Sequence, residues 1–274
     1  MQSSLVSVVC LCHNQAEYVE EAIQSVTKQT HPNIQLIVVD DGSEDASKTV
    51  ISALSKQHDF TFISLEQALG NCRAFNQALK KCQGAYVIDL AADDLLLPNR
   101  IEEGLKTFDQ KEIGVEFCNV ENVDPKGNTI SIHFKPDQPV FEKDIYEKLI
   151  TTYFISPPGM MMKKEVLDEL DGYDESLSYE DFDFWIRSSR DHHYGYTPQI
   201  LVKKRDVPGS LSKKQFAFQS SHQRSTLAVC KKIKQLNRLP SEQLALKKRC
   251  MYEIKQCLKQ GNFSLLPAFL KLYL

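Results

Sequence analysis

The sequence lacks any long hydrophobic run. No segment approaches the roughly 20 consecutive apolar residues that a membrane-spanning helix needs. The start, Met1-Gln2-Ser3-Ser4, has no basic region of a signal peptide, and the apolar run that follows it is too short to act as one. We therefore expect a cytoplasmic protein whose eight cysteines stay reduced.

Two kinds of binding motif are also missing. Neither G-x-x-x-x-G-K-[ST] nor G-x-G-x-x-G occurs, so a glycine-rich loop is not the means by which this chain would bind phosphate. Cys10 and Cys12 have no second Cys or His cluster nearby at the spacing of a zinc site, and we interpret them as small core residues. Composition is otherwise ordinary, with 42% hydrophobic and 25% charged residues, which is typical of a globular protein.

The small net charge of −3 hides a strong asymmetry along the chain. Residues 203–274 carry 16 Lys and Arg against 3 Asp and Glu, a net charge of +13, so residues 1–202 carry −16. A basic segment of this kind indicates an anionic partner, such as a membrane surface. The alternative is that the basic segment and the acidic remainder neutralise each other.

Buried-strand and helix patterns alternate over the first 90 residues. Asn14 opens a helical pattern, and two further helices follow, one with Val50, Ile51 and Leu54 on one face and one over Gly70–Lys81. The four apolar runs that predict strands are Leu5–Leu11, Ile34–Val39, Phe60–Leu65 and Tyr86–Leu90. This β-α-β-α-β-α-β order predicts an α/β fold with a doubly wound sheet.

The second half predicts a mixed, more antiparallel arrangement. A helix over Asn99–Asp109 precedes strands at Val115–Val123 and Thr129–Phe134. Shorter elements follow: helices at Lys163–Leu170 and Glu180–Arg190, a late strand at Ile200–Lys204, and lysine-rich helices from about Lys213. We expect one domain over 1–212, with halves 1–98 and 99–212, and a basic helical extension over 213–274.

Polar residues follow three of the predicted strands: His13-Asn14, Asp40-Asp41 and Asp93-Asp94. In such sheets, ligands bind beyond the carboxyl ends of the strands. Adjacent carboxylates suit a divalent cation that bridges a diphosphate, although each pair also fits a turn or a helix cap. Glu180-Asp181 opens a helix, where acidic residues complement the helix dipole or supply a general base.

Taken together, these segments resemble family 2 glycosyltransferases with the GT-A fold. The resemblance covers about residues 5–212; each motif is weak by itself, and their occurrence in the right order makes the resemblance specific. The matching segments are Val6-Ser7-Val8-Val9 to His13-Asn14, Ser25-Val26-Thr27-Lys28-Gln29-Thr30, Val38-Val39-Asp40-Asp41-Gly42-Ser43, Gly70-Asn71-Cys72-Arg73-Ala74-Phe75-Asn76, Gly84-Ala85-Tyr86-Val87, Ala92-Asp93-Asp94 with Pro98, Gly172-Tyr173-Asp174-Glu175 and Glu180-Asp181. The resemblance implies a Rossmann-like mixed sheet flanked by helices.

The resemblance also implies roles for single residues. Those that would contact the nucleotide are Leu11, His13, Asp40, Asp41, Arg73, Asn76 and Asp93. Within this set, Leu11, His13 and Asp41 would face the base, Asp40 would support its loop, and Arg73 and Asn76 would lie along the nucleotide or its diphosphate. Asp93 and Asp94 would hold the ribose and Mn²⁺ or Mg²⁺. Asp181, with Glu180 beside it, would be the base of a single inverting displacement.

The sequence departs from the family pattern in three places. Ala91 stands where the first Asp of the usual D-x-D would be, which weakens the inference of a metal. No His follows the late strand, where Arg205-Asp206-Val207 occurs instead; Asp206 or a water would have to take its place. No Q-x-x-R-W motif occurs, so we expect one sugar transfer per encounter rather than processive synthesis.

We conclude from the sequence that the chain transfers a sugar from a nucleotide-diphosphate sugar, with UDP-sugars favoured, to a hydroxyl acceptor with inversion. The acceptor would be a saccharide or a lipid-linked molecule in surface polysaccharide or glycoconjugate synthesis. A non-catalytic sugar-nucleotide-binding protein is the alternative. We expect no nucleic-acid partner. Two questions about partners stay open: whether the basic helices contact the inner face of the membrane peripherally, and whether the protein forms a homodimer.

Overall fold

The computed structural model describes residues 4–110, 112–207 and 221–274, which form two compact units. The first, which we call the sheet unit, contains the described residues of Met1–Glu142, Ile155–Tyr173 and His193–Val207. The second, the helical unit, contains those of Lys143–Phe154, Asp174–His192 and Pro208–Leu274. The predicted boundary at residues 212 and 213 lies outside the described residues, and the division into those two domains stays a prediction.

The described part of the sheet unit contains a single sheet of nine strands. In chain order the strands are β1 Val6–Cys12, β2 Ile34–Asp40, β3 Thr61–Ser64, β4 Tyr86–Ala91, β5 Leu95–Leu96, β6 Ile113–Val123, β7 Thr129–Ile132, β8 Met160–Lys163 and β9 His193–Arg205. Their order in the sheet is β3-β2-β1-β4-β8-β6-β9-β5, with β7 paired to β6. The first four strands are parallel, and β8 runs antiparallel to both of its neighbours.

Helices connect the parallel strands, as the alternating pattern predicts. The helices of the sheet unit are α1 Val19–Thr27, α2 Ser47–Leu54, α3 Asn71–Leu79, α4 Arg100–Thr107 and α6 Lys164–Glu169. In α1, the residues at i, i+3, i+4 and i+7 are all buried, because an apolar stripe of that spacing faces one side of a helix. The predicted α/β class with a mixed sheet is confirmed.

The late strand is longer than the sequence predicts. It begins at His193, between the predicted helix at Glu180–Arg190 and the predicted strand at Ile200–Lys204, and runs 13 residues to Arg205. It pairs in parallel with every residue of the 11-residue β6 except Gly114, and the register shifts near Cys118 and Asn119. Pro198 lies at that irregularity and interrupts the apolar pattern, so only the part from Ile200 onward looked like a strand.

The helical unit packs around aromatic side chains. Its helices are α5 Tyr146–Thr151, α7 Glu180–Ser188, α8 Ser221–Leu236, α9 Pro240–Gln260 and α10 Leu266–Tyr273. Tyr153 contacts the rings of Phe182 and Trp185, and the guanidinium of Arg249 lies 4.1 Å from the centre of the Tyr153 ring. No helix in the described ranges combines the length and the apolar character that crossing a membrane requires.

Candidate active site

Three parallel strands end side by side at one edge of the sheet. Cys12 at the end of β1 pairs with Asp40 at the end of β2, and Leu11 pairs with Ala91 at the end of β4. The backbone continues this contact beyond the strands, since the Asp41 amide donates to the Cys12 carbonyl at 2.8 Å. The register therefore brings together the three polar loops that the sequence analysis singled out.

The loop after β1 is tied to the loop after β2 through His13 and Asn14. His13 Nδ1 lies 2.7 Å from the Asp41 carbonyl oxygen, and Asn14 Nδ2 lies 3.1 Å from His13 Nε2. The network assigns the proton to Nδ1 and leaves Nε2 as an acceptor. Asn14 adopts a φ of 56°, a left-handed conformation that Asn tolerates, and its amide donates to Ser43 Oγ. These contacts join the two loops to each other.

The neighbouring carboxylates of Asp40 and Asp41 have different surroundings. Asp41 accepts hydrogen bonds from the backbone amides of Leu69 and Gly70, at 2.7 and 2.9 Å, one to each oxygen. It therefore holds the loop that leads into α3, while its remaining lone pairs can still accept from a ligand. Asp40 is fully buried, and neither of its carboxylate oxygens has a hydrogen-bond partner among the described residues.

Gly42 is required by the close approach of two loops. Its φ is 61°, in the left-handed region that favours glycine. A Cβ at this position would lie 2.3 Å from the carbonyl carbon of Gln67, far inside van der Waals contact. The glycine of the D-D-G segment thus lets the loop after β2 approach the loop before α3.

Asp93 and Asp94 form a carboxylate pair beyond β4. Asp94 is 4% exposed, and its Oδ1 accepts a hydrogen bond from the backbone amide of Arg205 at 2.9 Å. Burial, and then the charge of Asp93, raises the pKa of Asp94 well above its usual range, and burial also raises the pKa of Asp93. Two carboxylates held this close repel each other unless a proton or a cation compensates them.

The donor set of this pair fits a hard divalent cation. Carboxylate oxygens are the ligands that Mg²⁺ prefers, and one or two of them suffice where phosphate oxygens and water complete the shell. Within the described ranges, no group of three or more His, Cys, Asp or Glu side chains could hold a metal ion. Among the described residues, Asp93 and Asp94 are the candidates for holding the ion, and oxygens from another molecule would complete its shell.

Arg205 lies beside these carboxylates, a position that the sequence analysis did not predict. The pairing of β5 with β9 brings it there, and its Nη1 donates to the Asp93 carbonyl at 3.2 Å. Its Nη2 donates to Glu21 at 2.7 Å, and its guanidinium lies 4.7 Å from the centre of the Tyr18 ring. The only signal in the sequence is a basic residue at the end of a late strand. Asp206, the residue that we considered as a substitute ligand, is exposed.

Arg73 and Asn76 both lie on α3 but differ in exposure. Arg73 is exposed, whereas Asn76 is buried and its amide pairs with the backbone of Tyr173. Asn76 Nδ2 donates to the Tyr173 carbonyl at 2.9 Å, and Oδ1 accepts from the Tyr173 amide at 3.0 Å. Gly172 precedes this contact with a φ of 70°, and a Cβ there would lie 2.3 Å from Asn76 Oδ1. Asn76 therefore clamps the turn at Gly172, and its nucleotide role stays a prediction.

Three acidic residues of the helical unit lie in the first turn of α7. Glu180 and Asp181 are half-buried, and Asp183 is fully buried. Asp183 pairs with Lys232 Nζ and with Arg187 Nε, each at 2.6 Å, so its charge is already compensated. Of the three, Glu180 and Asp181 are the ones with exposed surface, and their predicted catalytic roles stay predictions.

The sheet topology, with its mixed strand order and its carboxylates at the ends of parallel strands, defines a GT-A fold of the glycosyltransferase type. S. aureus TarS in complex with UDP-GlcNAc superposes with a TM-score of 0.73 at 16% identity, covering 97% of this chain and 79% of that chain. The mannosyltransferase of Pyrobaculum calidifontis in complex with GDP-Man and Mn²⁺ gives a TM-score of 0.67 at 17% identity, covering 97% and 73%.

The family model described as glycosyl transferase family 2 matches residues 7–171. An uncharacterized glycosyltransferase of Methanocaldococcus jannaschii is 33% identical over 211 residues, which cover 75% of this chain and 72% of that protein. One from Rickettsia typhi is 34% identical over 216 residues, or 74% of this chain and 64% of that protein. The chain therefore belongs to glycosyl transferase family 2 and is a glycosyltransferase; the binding-only alternative is not favoured.

Proposed function

We propose that this enzyme moves a sugar from a nucleotide-diphosphate sugar, with a UDP-sugar favoured, to a hydroxyl acceptor with inversion at the anomeric carbon. The observation that carries the proposal is the meeting of the His13, Asp41 and Asp93 loops at the carboxyl ends of β1, β2 and β4. Family membership and the UDP-GlcNAc and GDP-Man complexes of the two structural neighbours support it.

The loops at the sheet edge would bind the nucleotide. Leu11 forms a buried floor at the end of β1, and the Asp41 carboxylate, held by two backbone amides, retains lone pairs that accept from a base N–H. Both ring nitrogens of His13 already have partners, the Asp41 carbonyl and the Asn14 side chain, so His13 would line the base through its ring and not through a hydrogen bond. Arg73 is the exposed cation of α3 that would neutralise diphosphate charge. Asn76 holds the turn at Gly172 through its side chain, and Asp40 contacts the neighbouring loop through its backbone carbonyl, which accepts from the Leu65 amide.

Asp93 and Asp94 would hold Mn²⁺ or Mg²⁺ together with the diphosphate oxygens of the donor. When bound, such an ion supplies positive charge that stabilises the nucleoside diphosphate as it departs. Arg205 adds a fixed positive charge beside the same carboxylates, through its contacts with the Asp93 carbonyl and Glu21. Asp93 and Asp94 would position the donor so that its diphosphate, the leaving group, lies away from the acceptor hydroxyl.

Asp181 would act as the general base, with Glu180 beside it. Its carboxylate takes the proton of the acceptor hydroxyl while that oxygen forms a bond to the anomeric carbon. The bond from the anomeric carbon to the diphosphate oxygen breaks on the opposite face, and the nucleoside diphosphate leaves with that electron pair. We expect the acceptor to be a saccharide or a lipid-linked molecule on the cytoplasmic side, used in polysaccharide or glycoconjugate assembly.

A donor panel tests the proposal. UDP-, GDP- and dTDP-sugars are compared by thermal shift and by donor hydrolysis, each with and without Mn²⁺. We expect one base class to stabilise the protein only with Mn²⁺, and slow hydrolysis that is lost in Asp181→Asn but retained in Asp59→Asn, an exposed acid used as a matched control. Stabilisation without metal and without turnover, or hydrolysis unchanged in Asp181→Asn, would contradict it.

A further inference from the structure

One side of α9 exposes lysines together with large apolar side chains. Leu244, Tyr252 and Leu258 are 55%, 45% and 54% exposed, and Lys248 and Lys255 lie between them along the helix. At 100° per residue, the members of this surface fall within an arc of about 140°. We call it the basic face of α9: Leu244, Lys247, Lys248, Met251, Tyr252, Lys255, Leu258 and Lys259.

The acidic residues of α9 do not neutralise this face. Glu242 and Glu253 are both buried on the other side of the helix. Glu242 pairs with Arg190 at 2.7 Å, and Glu253 pairs with Arg249 at 3.3 Å. Lys248, Lys255 and Lys259 make no ion pair with any described residue, so the face carries an uncompensated positive charge. This local arrangement accounts for part of the +13 charge of residues 203–274.

An open groove of about 390 Å³ lies along the same face, between α9 and α10. Met251, Tyr252 and Tyr273 contribute apolar walls, and Lys247 and Lys255 contribute cationic ends to it. Lys247 Nζ is also held 5.9 Å from the centre of the Tyr273 ring. The surface therefore alternates cationic groups with apolar and aromatic groups, instead of separating them into two patches.

We propose that the basic face of α9 docks on an anionic phospholipid bilayer. Lysine ammonium groups would approach lipid phosphates, while Leu244, Tyr252 and Leu258 enter the boundary between headgroups and acyl chains. Tyr suits that boundary because its ring is apolar and its hydroxyl is polar. A purely cationic surface would bind only through charge, and a purely apolar one would not select anionic lipid; this face offers both. The proposal is independent of the donor that the enzyme uses.

Sedimentation with lipid vesicles tests this docking on the full 274-residue chain. Binding is measured with vesicles of phosphatidylcholine mixed with phosphatidylglycerol, and with vesicles of pure phosphatidylcholine, over a salt titration. We expect binding to the anionic vesicles alone, weakening as salt rises because surface charge is screened. Each lysine near an anionic surface contributes roughly a fivefold factor in partitioning.

Charge reversal on the basic face is the decisive variant. Lys248→Glu/Lys255→Glu should weaken binding to anionic vesicles by at least about 25-fold, because two such factors are lost. Lys56→Glu/Lys80→Glu changes the net charge equally at exposed lysines of the sheet unit and should leave binding intact. Tyr252→Ser/Leu258→Ser should remove the fraction of binding that survives high salt. Circular dichroism checks that each variant is folded.

Three results would overturn the proposal. Equal binding to neutral and anionic vesicles would remove the charge argument. Unchanged binding in Lys248→Glu/Lys255→Glu would show that the membrane contact lies on another surface of the protein. A dimer in analytical ultracentrifugation that this variant dissociates, with no vesicle binding by the wild type, would make the face an interface between two copies. If the charge-reversal variant does not fold, the salt titration of the wild type decides by itself.

Discussion

Replacing Asn76 by alanine should destabilise the sheet unit strongly. The side-chain amide makes two buried hydrogen bonds to the backbone of Tyr173, which is 97 residues away in the chain. Alanine would leave the Tyr173 amide and carbonyl without these partners. Each unsatisfied buried group costs about 1–3 kcal/mol, so with two such groups we expect the free energy of unfolding to fall by about 2–6 kcal/mol.

Urea unfolding followed by far-ultraviolet circular dichroism measures this change. Gln77→Ala is the matched control, because Gln77 is on the same helix, is half-buried and makes no side-chain hydrogen bond with the described residues. We expect the control to change stability by less than about 0.5 kcal/mol. If Asn76→Ala were no more destabilising than Gln77→Ala, the clamp would contribute nothing and the reasoning would be refuted.

A double-mutant cycle with Gly172 sharpens the test. In the wild type, Gly172→Ala would introduce a Cβ 2.3 Å from Asn76 Oδ1, in addition to the strain of its φ of 70°. In the Asn76→Ala background the conflict with Asn76 disappears, which leaves the backbone strain of about 1 kcal/mol and a contact of 3.3 Å with Leu79 Cδ2. We therefore expect Gly172→Ala to cost less in that background, and additive costs would contradict the observed contact.

Three further predictions address other parts of the molecule. Partial burial raises the pKa of Asp174, but hydrogen bonds from Lys232 and Ser176 outweigh it and lower the pKa to about 2. This stabilisation is present above the unfolded pKa and is lost as pH falls through about 2. The stabilisation amounts to at most about 2 kcal/mol. Asp174→Asn should therefore flatten the acid side of the curve of unfolding free energy against pH, and an unchanged acid side would refute this prediction. Lys232→Met should cost about 3 kcal/mol in urea unfolding, because Asp183 is fully buried and loses one of its two cationic partners. Lys231→Met, without that contact, is the control. Gly42→Ala should abolish donor stabilisation in thermal shift, because its Cβ would overlap the Gln67 backbone; retained stabilisation would show that the loop can adjust.

Local patterns were enough to predict the first half of the fold. Apolar runs of four to seven residues, separated by helices with one apolar face, require strands buried on both sides, and therefore a parallel sheet with helical connections. The same alternation determines that His13, Asp41 and Asp93 follow strand ends. Since parallel strands share one carboxyl edge, their convergence follows from the chain order alone.

The second half depends on pairings between distant segments, which no local pattern encodes. His193–Arg205 is a strand along its whole length because β6 supplies hydrogen-bond partners across the irregularity at Pro198. That pairing, with β5 on the other side, also puts the Arg205 amide on the Asp94 carboxylate.

Asn76 shows most clearly what the sequence predicts and what only the tertiary structure decides. Its residue type and its place on a helix were readable in the sequence, and both are compatible with nucleotide contact. Only the tertiary structure decided that its amide clamps Tyr173, because that hydrogen bond closes a loop of 97 residues. Sequence by itself determined the family, the order of the first strands and helices, and the acidic residues at their ends; the packing of distant segments determined which of those polar groups are already occupied.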